Sequence, residues 1–542
     1  MVAELENSSD SSGSQADCVL AIDLGTSGCK CAVVDFNGRV VAWSFESVRT
    51  ELIGNDGAQQ SPDDWWNALR STARMVVKQA TEENRNVVAV CASTQGEGTV
   101  PIDKNGNVLH PALLWLDMRG QEMIRKQIGS GLFRVAGYDA GKLFRWIRLT
   151  GGAPSLSGKD PAAHMLFFKQ ELPRVYAQTY KFLNVLDYVN YRLSARVVAT
   201  PDSILTSWVT NNRDPNNVSY DTKLIRWLGL DREKLPEIVR STDIIGPLHD
   251  TVAADIGLPG GIPVVGGTID TSAAAVGSGA VLAGQAHLYI GTSSWIGAHV
   301  TEKRTDLSSQ IASVPCALPD RFLMIAMQSA AGSNLAFLKD HVFFNRDELS
   351  QEEEPPDVYG LIDKIAHRAP AGSRGVIYTP WLFGERTPVD NPSVRAGLLN
   401  LSMQHTREDI VRAVLEGVAL NTRWMLRPVK KFLNKHPLEE LAIVGGGGSS
   451  DVWCQIFADV MNVRIRQLES PLQANLLGST FVAGVGIGAL GFQDVSQRVR
   501  TKQVYRPQEC HRAVYDAAFD AYCDCYRRLA PVYRRVNRSR KV

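Results

Sequence analysis

The sequence predicts a two-lobed α/β fold in which two related halves enclose a central cleft. Three observations carry this. A short device occurs twice: Ala21-Ile22-Asp23-Leu24-Gly25-Thr26-Ser27-Gly28 near the start, and Leu288-Tyr289-Ile290-Gly291-Thr292-Ser293-Ser294 past the middle. Each copy is an apolar strand that runs into a Gly-Thr turn and on into a second apolar stretch, Lys30–Asp35 and Trp295–Val300. Strands alternate with helices in the same order in both halves, which implies α/β layering. At 542 residues the chain is also too long for one ordinary domain.

In the first half, Val19–Asp35 and Arg39–Phe45 flank Asn37-Gly38, a hairpin turn signal. Ser61-Pro62-Asp63-Asp64 opens a helix, with proline in the first turn and acids near its positive end. Trp65, Trp66, Leu69, Ala73, Val76 and Val77 continue it at helical spacing. Strands are expected at Asn86–Ser93 and Ala112–Leu116, and helices at His164–Glu171, Arg174–Gln178 and Leu186–Leu193. Gly261–Gly267 reads as a short strand ending in glycines, and Thr271–Val281 as a small-residue helix. In the second half a hairpin over Ala286–Val300 precedes a mixed segment and then Gly375–Pro380. Thr406 caps a long helix with Asp409 in the capping-box position, and Ile410, Val411, Val414, Leu415 and Val418 form its apolar face. Leu441–Val444 is a buried strand ending in Gly445–Gly448, followed by a helix over Ser449–Met461. Leu472–Leu490 is a Gly/Ala-rich helix able to pack closely. The expected division is a disordered leader over 1–17, lobes over 18–283 and 284–500, and a C-terminal helical extension with a basic tail over 501–542.

The 44% hydrophobic and 21% charged residues are ordinary for a soluble globular protein. A net charge of +1 points to no polyanion, so no nucleic-acid partner is expected. The nine cysteines include no Cys-x-x-Cys pair and read as reduced thiols of a cytoplasmic protein. No apolar run is long enough to span a membrane, and Met1–Asp17 lacks a signal peptide's apolar core. Gln351–Pro356 reads as a surface loop.

A tight turn that exposes amide hydrogens forms a nest for phosphate oxygens, and two nests in two halves suggest a clamped nucleotide. Only the first copy carries an acid, Asp23, placed to hold a metal ion through water. Asp270 follows a strand and two glycines and begins a helix, where a carboxylate is stabilised in its charged form. It can accept a hydroxyl proton while that oxygen attacks phosphorus. It can equally serve as a helix cap. Gly445–Gly448 lets a ligand approach the backbone, although neither the Rossmann spacing nor a Walker loop is present. Gln95, Glu97, Asp117 and Arg119 lie at strand ends, where amides and carboxylates read sugar hydroxyls. Trp115 and Tyr138 can stack on a carbon skeleton or join the core. Glu385-Arg386 reads best as a buried ion pair that shapes the cleft.

Together these residues resemble the FGGY family of carbohydrate kinases. The segments are Ile22–Gly28, Leu114–Arg119, Gly266–Asp270, Ile290–Ser294, Trp381–Pro388, Ala413–Val418 and Val444–Gly448, in family order. The resemblance implies the actin/hexokinase-like (ribonuclease H-like) fold, with duplicated βββαβα domains. It implies sugar binding and the catalytic Asp in the first lobe, and nucleotide binding in the second. It gives Asp270 the role of general base and Asp23 that of holding Mg²⁺ through water. Thr26 and Thr292 resemble phosphate-contacting threonines, with Gly291 in the same turn, and Lys30 stands where a basic residue is common. Gly332 falls where the second lobe approaches ATP, and Gly446, Gly447 and Ser450 resemble the adenosine-binding turn. Gln95, Glu97, Trp115, Asp117, Tyr138 and Asp270 are the expected substrate contacts.

Within the family the chain looks most like xylulokinase-like members. The implied reaction transfers the γ-phosphate of ATP to a primary hydroxyl of a xylulose-like ketopentose, in a cytoplasmic, non-membrane enzyme for which a homodimer is one of the open assembly states. The sequence departs from the xylulokinase pattern at Thr94–Gly98, where the usual Met-His pair is missing. Glu97 instead matches the polyol-binding Glu of glycerol kinases. L-Xylulose, ribulose, erythritol and glycerol are therefore alternative acceptors, and a catalytically silent binding member is a further alternative.

Overall fold

Two hairpins start the two halves, and each organises a sheet. The computed structural model describes residues 16–131, 133–344, 354–434 and 436–537. Residues 1–15 of the expected leader, 351–353 of the expected loop and 538–542 of the basic tail lie outside these described residues. Strand β1 (Ala16–Gly25) begins inside the expected leader, because Ala16 and Asp17 already pair with the strand beside them.

In the first sheet β1 pairs antiparallel with β2 (Gly28–Asp35), which pairs with β3 (Val40–Ser47). On its other side β1 runs parallel to β4 (Arg85–Thr94), and β4 runs parallel to β5 (Pro263–Ile269). The second sheet repeats this order with β6 (Ala286–Ile290), β7 (Ser294–Val300), β8 (Phe322–Gln328), β9 (Glu440–Val444) and β10 (Arg464–Leu468). In each sheet two antiparallel partners flank one side of the first strand and two parallel strands the other. The duplication inferred from the two Gly-Thr turns is thus a duplication of strand order.

Helix α1 (Pro62–Glu82) follows β3, with Ser61 accepting from the Asp64 N–H as N-cap and its buried Trp65, Leu69, Ala73 and Val76 packed on the sheet. Helix α2 (Asp270–Gly277) leaves β5, and α3 (Arg407–Leu433) carries the Thr406–Asp409 capping box. Helix α4 (Asp451–Met461) follows β9, α5 (Ala474–Gly486) follows β10, and α6 (Arg512–Val536) buries Tyr515, Phe519 and Tyr522 in the second lobe's core. The long insertion between β4 and β5 carries most of the expected sugar-reading residues.

Several expectations are corrected. The strand expected at Ala112–Leu116 covers only Ala112–Leu113, because Leu114 onward turns, with the Asp117 N–H donating to the Leu114 carbonyl. The mixed segment of the second half contains β8, and Thr501–Tyr505, assigned to the extension, is instead an edge strand against β10. Helix α5 belongs by sequence to the second half but packs beneath the first sheet. Its Leu476, Leu477 and Phe481 share one buried cluster with Val19, Ala21, Ala32 and Val34. Burying each such large side chain contributes about 1.5–3 kcal/mol.

The lobes join where α2 and α5 cross in backbone contact. A Cβ on Gly277 would overlap the Ala474 carbonyl, and a Cβ on Gly478 would overlap that of Ala273. Gly478→Ala should therefore cost about 1–3 kcal/mol of stability by overpacking. Its thermal unfolding midpoint should fall below that of the wild type; an unchanged midpoint would show that the two helices can separate freely.

Candidate active site

The end of β1 and the start of α2 bring two carboxylates together under the first Gly-Thr turn. Asp23 is buried, and its Oδ1 accepts from Ser93 Oγ (2.9 Å) and from Asn475 Nδ2 of α5 (3.1 Å). Its Oδ2 lies 3.6 Å from Lys30 Nζ, its partner across the hairpin. Asp270 is half-buried and its Oδ1 accepts from the Thr271 N–H (2.6 Å). Burial, reinforced by the Asp23, Glu97 and Asp202 carboxylates, pushes the Asp270 carboxyl up to about 7. The expectation that the helix start would hold Asp270 in its charged form is thus reversed: desolvation and crowding by acids outweigh the helix terminus. The Tyr289 phenol is raised by burial and then by Asp270 and Asp23, which puts the second hairpin beside these acids.

The expected sugar residues divide into two groups. Thr26 Oγ1 donates to Gln95 Oε1 (2.8 Å) and accepts from Trp115 Nε1 (3.0 Å). Gln95 Nε2 donates to Gln60 Oε1 (3.2 Å), and Gln60 Nε2 to the Thr26 carbonyl (2.7 Å). Gln95 and the Thr26 hydroxyl are therefore joined in one protein hydrogen-bond network. Asp117 is 0% exposed and accepts from the Ala58 N–H, the Arg119 N–H and Arg119 Nε. The Tyr138 hydroxyl donates to the Pro154 carbonyl (2.8 Å), and its ring packs on a core cluster. Both side chains are anchored by the framework. Trp115, 36% exposed with its indole N–H anchored, still offers a face.

Glu97 is held between two glycines at φ +64°, a conformation that disfavours L-residues by about 1–2 kcal/mol. Burial and the Asp160 carboxylate push its carboxyl up to about 8, against the opposing Arg386 and Lys159. Asp160 is buried, accepts from the Ser155 N–H and is pushed up to about 6, chiefly by desolvation. Sequence reasoning passed over Gln60, Lys159 and Asp160. Nothing local in the sequence marks Gln60, whose partners Thr26 and Gln95 are each more than 30 positions away.

On the nucleotide side Gly332 backs the second hairpin. Its N–H donates to the Gly291 carbonyl (2.8 Å), and a Cβ there would stand 2.6 Å from that oxygen. The Thr292 carbonyl accepts from the Ala331 and Ser333 N–H groups, while its exposed side chain makes no hydrogen bond among the described residues. The Gly446–Ser449 turn leaves Gly446 exposed, and Gly447 is crowded against Ile290 so closely that a Cβ would overlap it. Ser450 Oγ accepts from the Trp453 N–H and donates to Asp363 Oδ1 (2.7 Å), so it caps α4.

The expected Glu385–Arg386 ion pair is also corrected. Glu385 is buried and accepts from the Ser329 and Arg386 backbone N–H groups and from Asn421 Nδ2. The Arg386 side chain is exposed and acts on Glu97 and Asp160 across the cleft.

The N-terminal and C-terminal domain models of the FGGY family of carbohydrate kinases match residues 18–277 and 286–487. The xylulose kinase of Staphylococcus epidermidis is 25% identical over 94% of this chain and 96% of its own length. A gluconokinase of Bacillus subtilis is 26% identical over 96% and 95%. The crystal structure of a ligand-bound xylulose kinase from Lactobacillus acidophilus superposes with a TM-score of 0.81 at 22% identity, covering 95% of this chain and 99% of the other.

The raised Asp270 carboxyl has a stability consequence. A carboxyl raised on folding holds its proton more tightly in the native state. Its contribution is therefore favourable at low pH and is lost as pH rises from about 4 through about 7. Asp270→Asn, which removes the charge, should unfold at a higher midpoint than wild type at pH 8, and the difference should shrink toward pH 4. Equal midpoints at pH 8 would mean that the charged carboxylate is not strained.

Proposed function

This chain belongs to the FGGY family of carbohydrate kinases, and from that premise we propose that it transfers the γ-phosphoryl group of ATP to a primary hydroxyl of an open-chain, xylulose-like ketopentose, with Asp270 as general base. The observation that carries the reading is a carboxyl near 7 at a strand–helix junction beside the cleft. A base works best when its pKa lies near the working pH. Asp270 takes the proton of the attacking hydroxyl as that oxygen meets phosphorus.

Phosphoryl transfer otherwise needs positioning and charge neutralisation. The turns at Thr26 and Thr292 supply backbone amides, the unpaired Thr292 hydroxyl a donor, and Lys30 a cation. Mg²⁺ fits only through water. Among the described residues no three His, Cys, Asp or Glu side chains could hold a metal ion. Mg²⁺ commonly keeps its waters and uses one or two carboxylates plus phosphates, and Asp23 offers Oδ2, whose one ionic contact is the 3.6 Å approach of Lys30. When bound, the ion would neutralise phosphate charge.

Glu97 supports an uncharged, hydroxyl-rich acceptor. With its carboxyl near 8, it can both donate and accept a hydrogen bond at neutral pH. A second reading, a different sugar or a polyol such as glycerol or erythritol, is favoured by the Gln95-Gly96-Glu97 loop itself.

Asp270→Asn should slow turnover by about 10²–10⁴-fold while ATP binding, followed by titration calorimetry, persists. In the wild type, kcat/KM should fall about tenfold per pH unit below pH 7. A profile flat down to about pH 5 would remove Asp270 as the base.

ADP release across a panel of ketoses, polyols and aldonates tests the acceptor. Xylulose should lead, and Glu97→Ala should narrow the gap between xylulose and its analogues by tenfold or more, since a site built to pair hydroxyls rejects analogues that lack them. Activity confined to cyclic hexoses, with Glu97→Ala behaving as wild type, would overturn the assignment.

A further inference from the structure

A buried carboxylate outside the expected site braces the strand that delivers Asp270. Asp202 lies in the turn Thr200-Pro201-Asp202-Ser203 of the insertion and is 1% exposed. Its Oδ2 accepts from Thr268 Oγ1 and from the Ile269 N–H (3.2 Å), the last two residues of β5. Its Oδ1 accepts from Thr200 Oγ1 (2.6 Å). The turn is fixed in its own right: Ser203 Oγ donates to the buried Asp187 Oδ1 (2.7 Å) and accepts from the Thr200 N–H (3.0 Å), while Asn184 Nδ2 donates to the Ser203 carbonyl (2.8 Å).

A carboxylate is costly to bury unless hydrogen-bonded. Three donors from two separate segments would be an expensive way merely to close a turn. β5 also needs such a brace. Its pairing with β4 shifts register between Val265 and Thr268, so the ladder alone does not hold its end rigidly. Resting on the assignment of Asp270 as base, we propose that Asp202 is a positioning residue: it pins Thr268 and Ile269 and so fixes the direction in which Asp270 enters the cleft.

The charged and titratable groups acting on Asp270 are Asp23, Glu97 and Asp202, with the Tyr289 phenol facing it from the second hairpin. Asp202 thus acts on Asp270 in two ways, through the backbone it holds and through its charge. The two are separable. Asp202→Ala removes the brace; Asp202→Asn keeps the shape and removes the charge. Thr268→Val removes one donor, and Thr268→Ser restores it.

Steady-state kinetics on the full chain, per folded molecule, tests this. Asp202→Ala should lower kcat by about 10²-fold, the scale set by a misplacement of about 1 Å, with the KM for ATP within about twofold of wild type. Asp202→Asn, whose amide oxygen can still accept from Thr268 Oγ1 and the Ile269 N–H, should keep more of kcat than Asp202→Ala. Thr268→Val should lose about tenfold in kcat, and Thr268→Ser should recover most of it. The proposal is overturned if Asp202→Ala keeps the wild-type kcat, or if Thr268→Val and Thr268→Ser are alike; the second result decides even where Asp202→Ala fails to fold. Asp270→Asn is the control. If it keeps turnover, the base assignment falls; if it is inactive while the Asp202 and Thr268 variants behave as wild type, only the brace falls.

Discussion

The crossing of α2 and α5 is the contact on which the cleft depends. Helix α2 begins with Asp270, and α5 supplies Asn475, whose amide donates to Asp23 from 452 positions away. Only small residues let these two helices approach until backbone meets backbone, as Gly277 does at Ala474 and Gly478 at Ala273. The separation between Asp270 and Asp23 is therefore set by helix packing. A protein interior is nearly incompressible on this scale, so the spacing does not rely on flexible side chains.

The acids around this joint are mutually unfavourable, and that is what tunes them. Asp23, Glu97 and Asp202 all act on Asp270, and Asp160 acts on Glu97. The cations Lys30, Lys159 and Arg386 sit close enough to moderate the crowding; of the three only Lys30 forms an ion pair here, and its contact is long. Closer pairing would hold the carboxylates ionised. At the observed spacing the base and the Glu97 carboxyl both titrate within about a unit of neutral pH. Such perturbed groups gathered in a cleft are a mark of function more than of folding, since they cost stability where they stand.

What was legible in the sequence follows a physical pattern. The two Gly-Thr hairpins, the capping box at Thr406, the proline-started α1 and the small-residue helices were readable because each signal lies within a few residues. The places of Asp23 near the end of β1 and of Asp270 at the start of α2 were readable because glycines or a turn beside an apolar run mark where a strand stops. What was not legible is the set of contacts in which a polar residue's partner is remote. Gln95 bonds to Thr26 and Gln60, and Asp117 to Ala58 together with nearby Arg119. Ser450 caps a helix and also bonds to Asp363. Asp202 was missed for the same reason, since its partner Thr268 lies 66 positions away.

This division also explains how one framework can serve different acceptors. Asp23, Asp270 and the two Gly-Thr turns sit on the duplicated sheets and on the helices between them, where strand order and close packing fix them. Glu97, Trp115, Lys159 and Asp160 sit instead in the insertion between β4 and β5, whose loops can change without disturbing either sheet. A xylulose kinase and a gluconokinase match this chain over nearly its whole length at almost the same identity. Overall similarity is dominated by the framework, which is common to both, so it carries little information about the acceptor. That information lies in the few side chains of the insertion, and among them in those whose polar atoms the protein has left unpaired. Glu97 is the clearest case: it is strained, half-buried, and without a hydrogen-bond partner among the described residues.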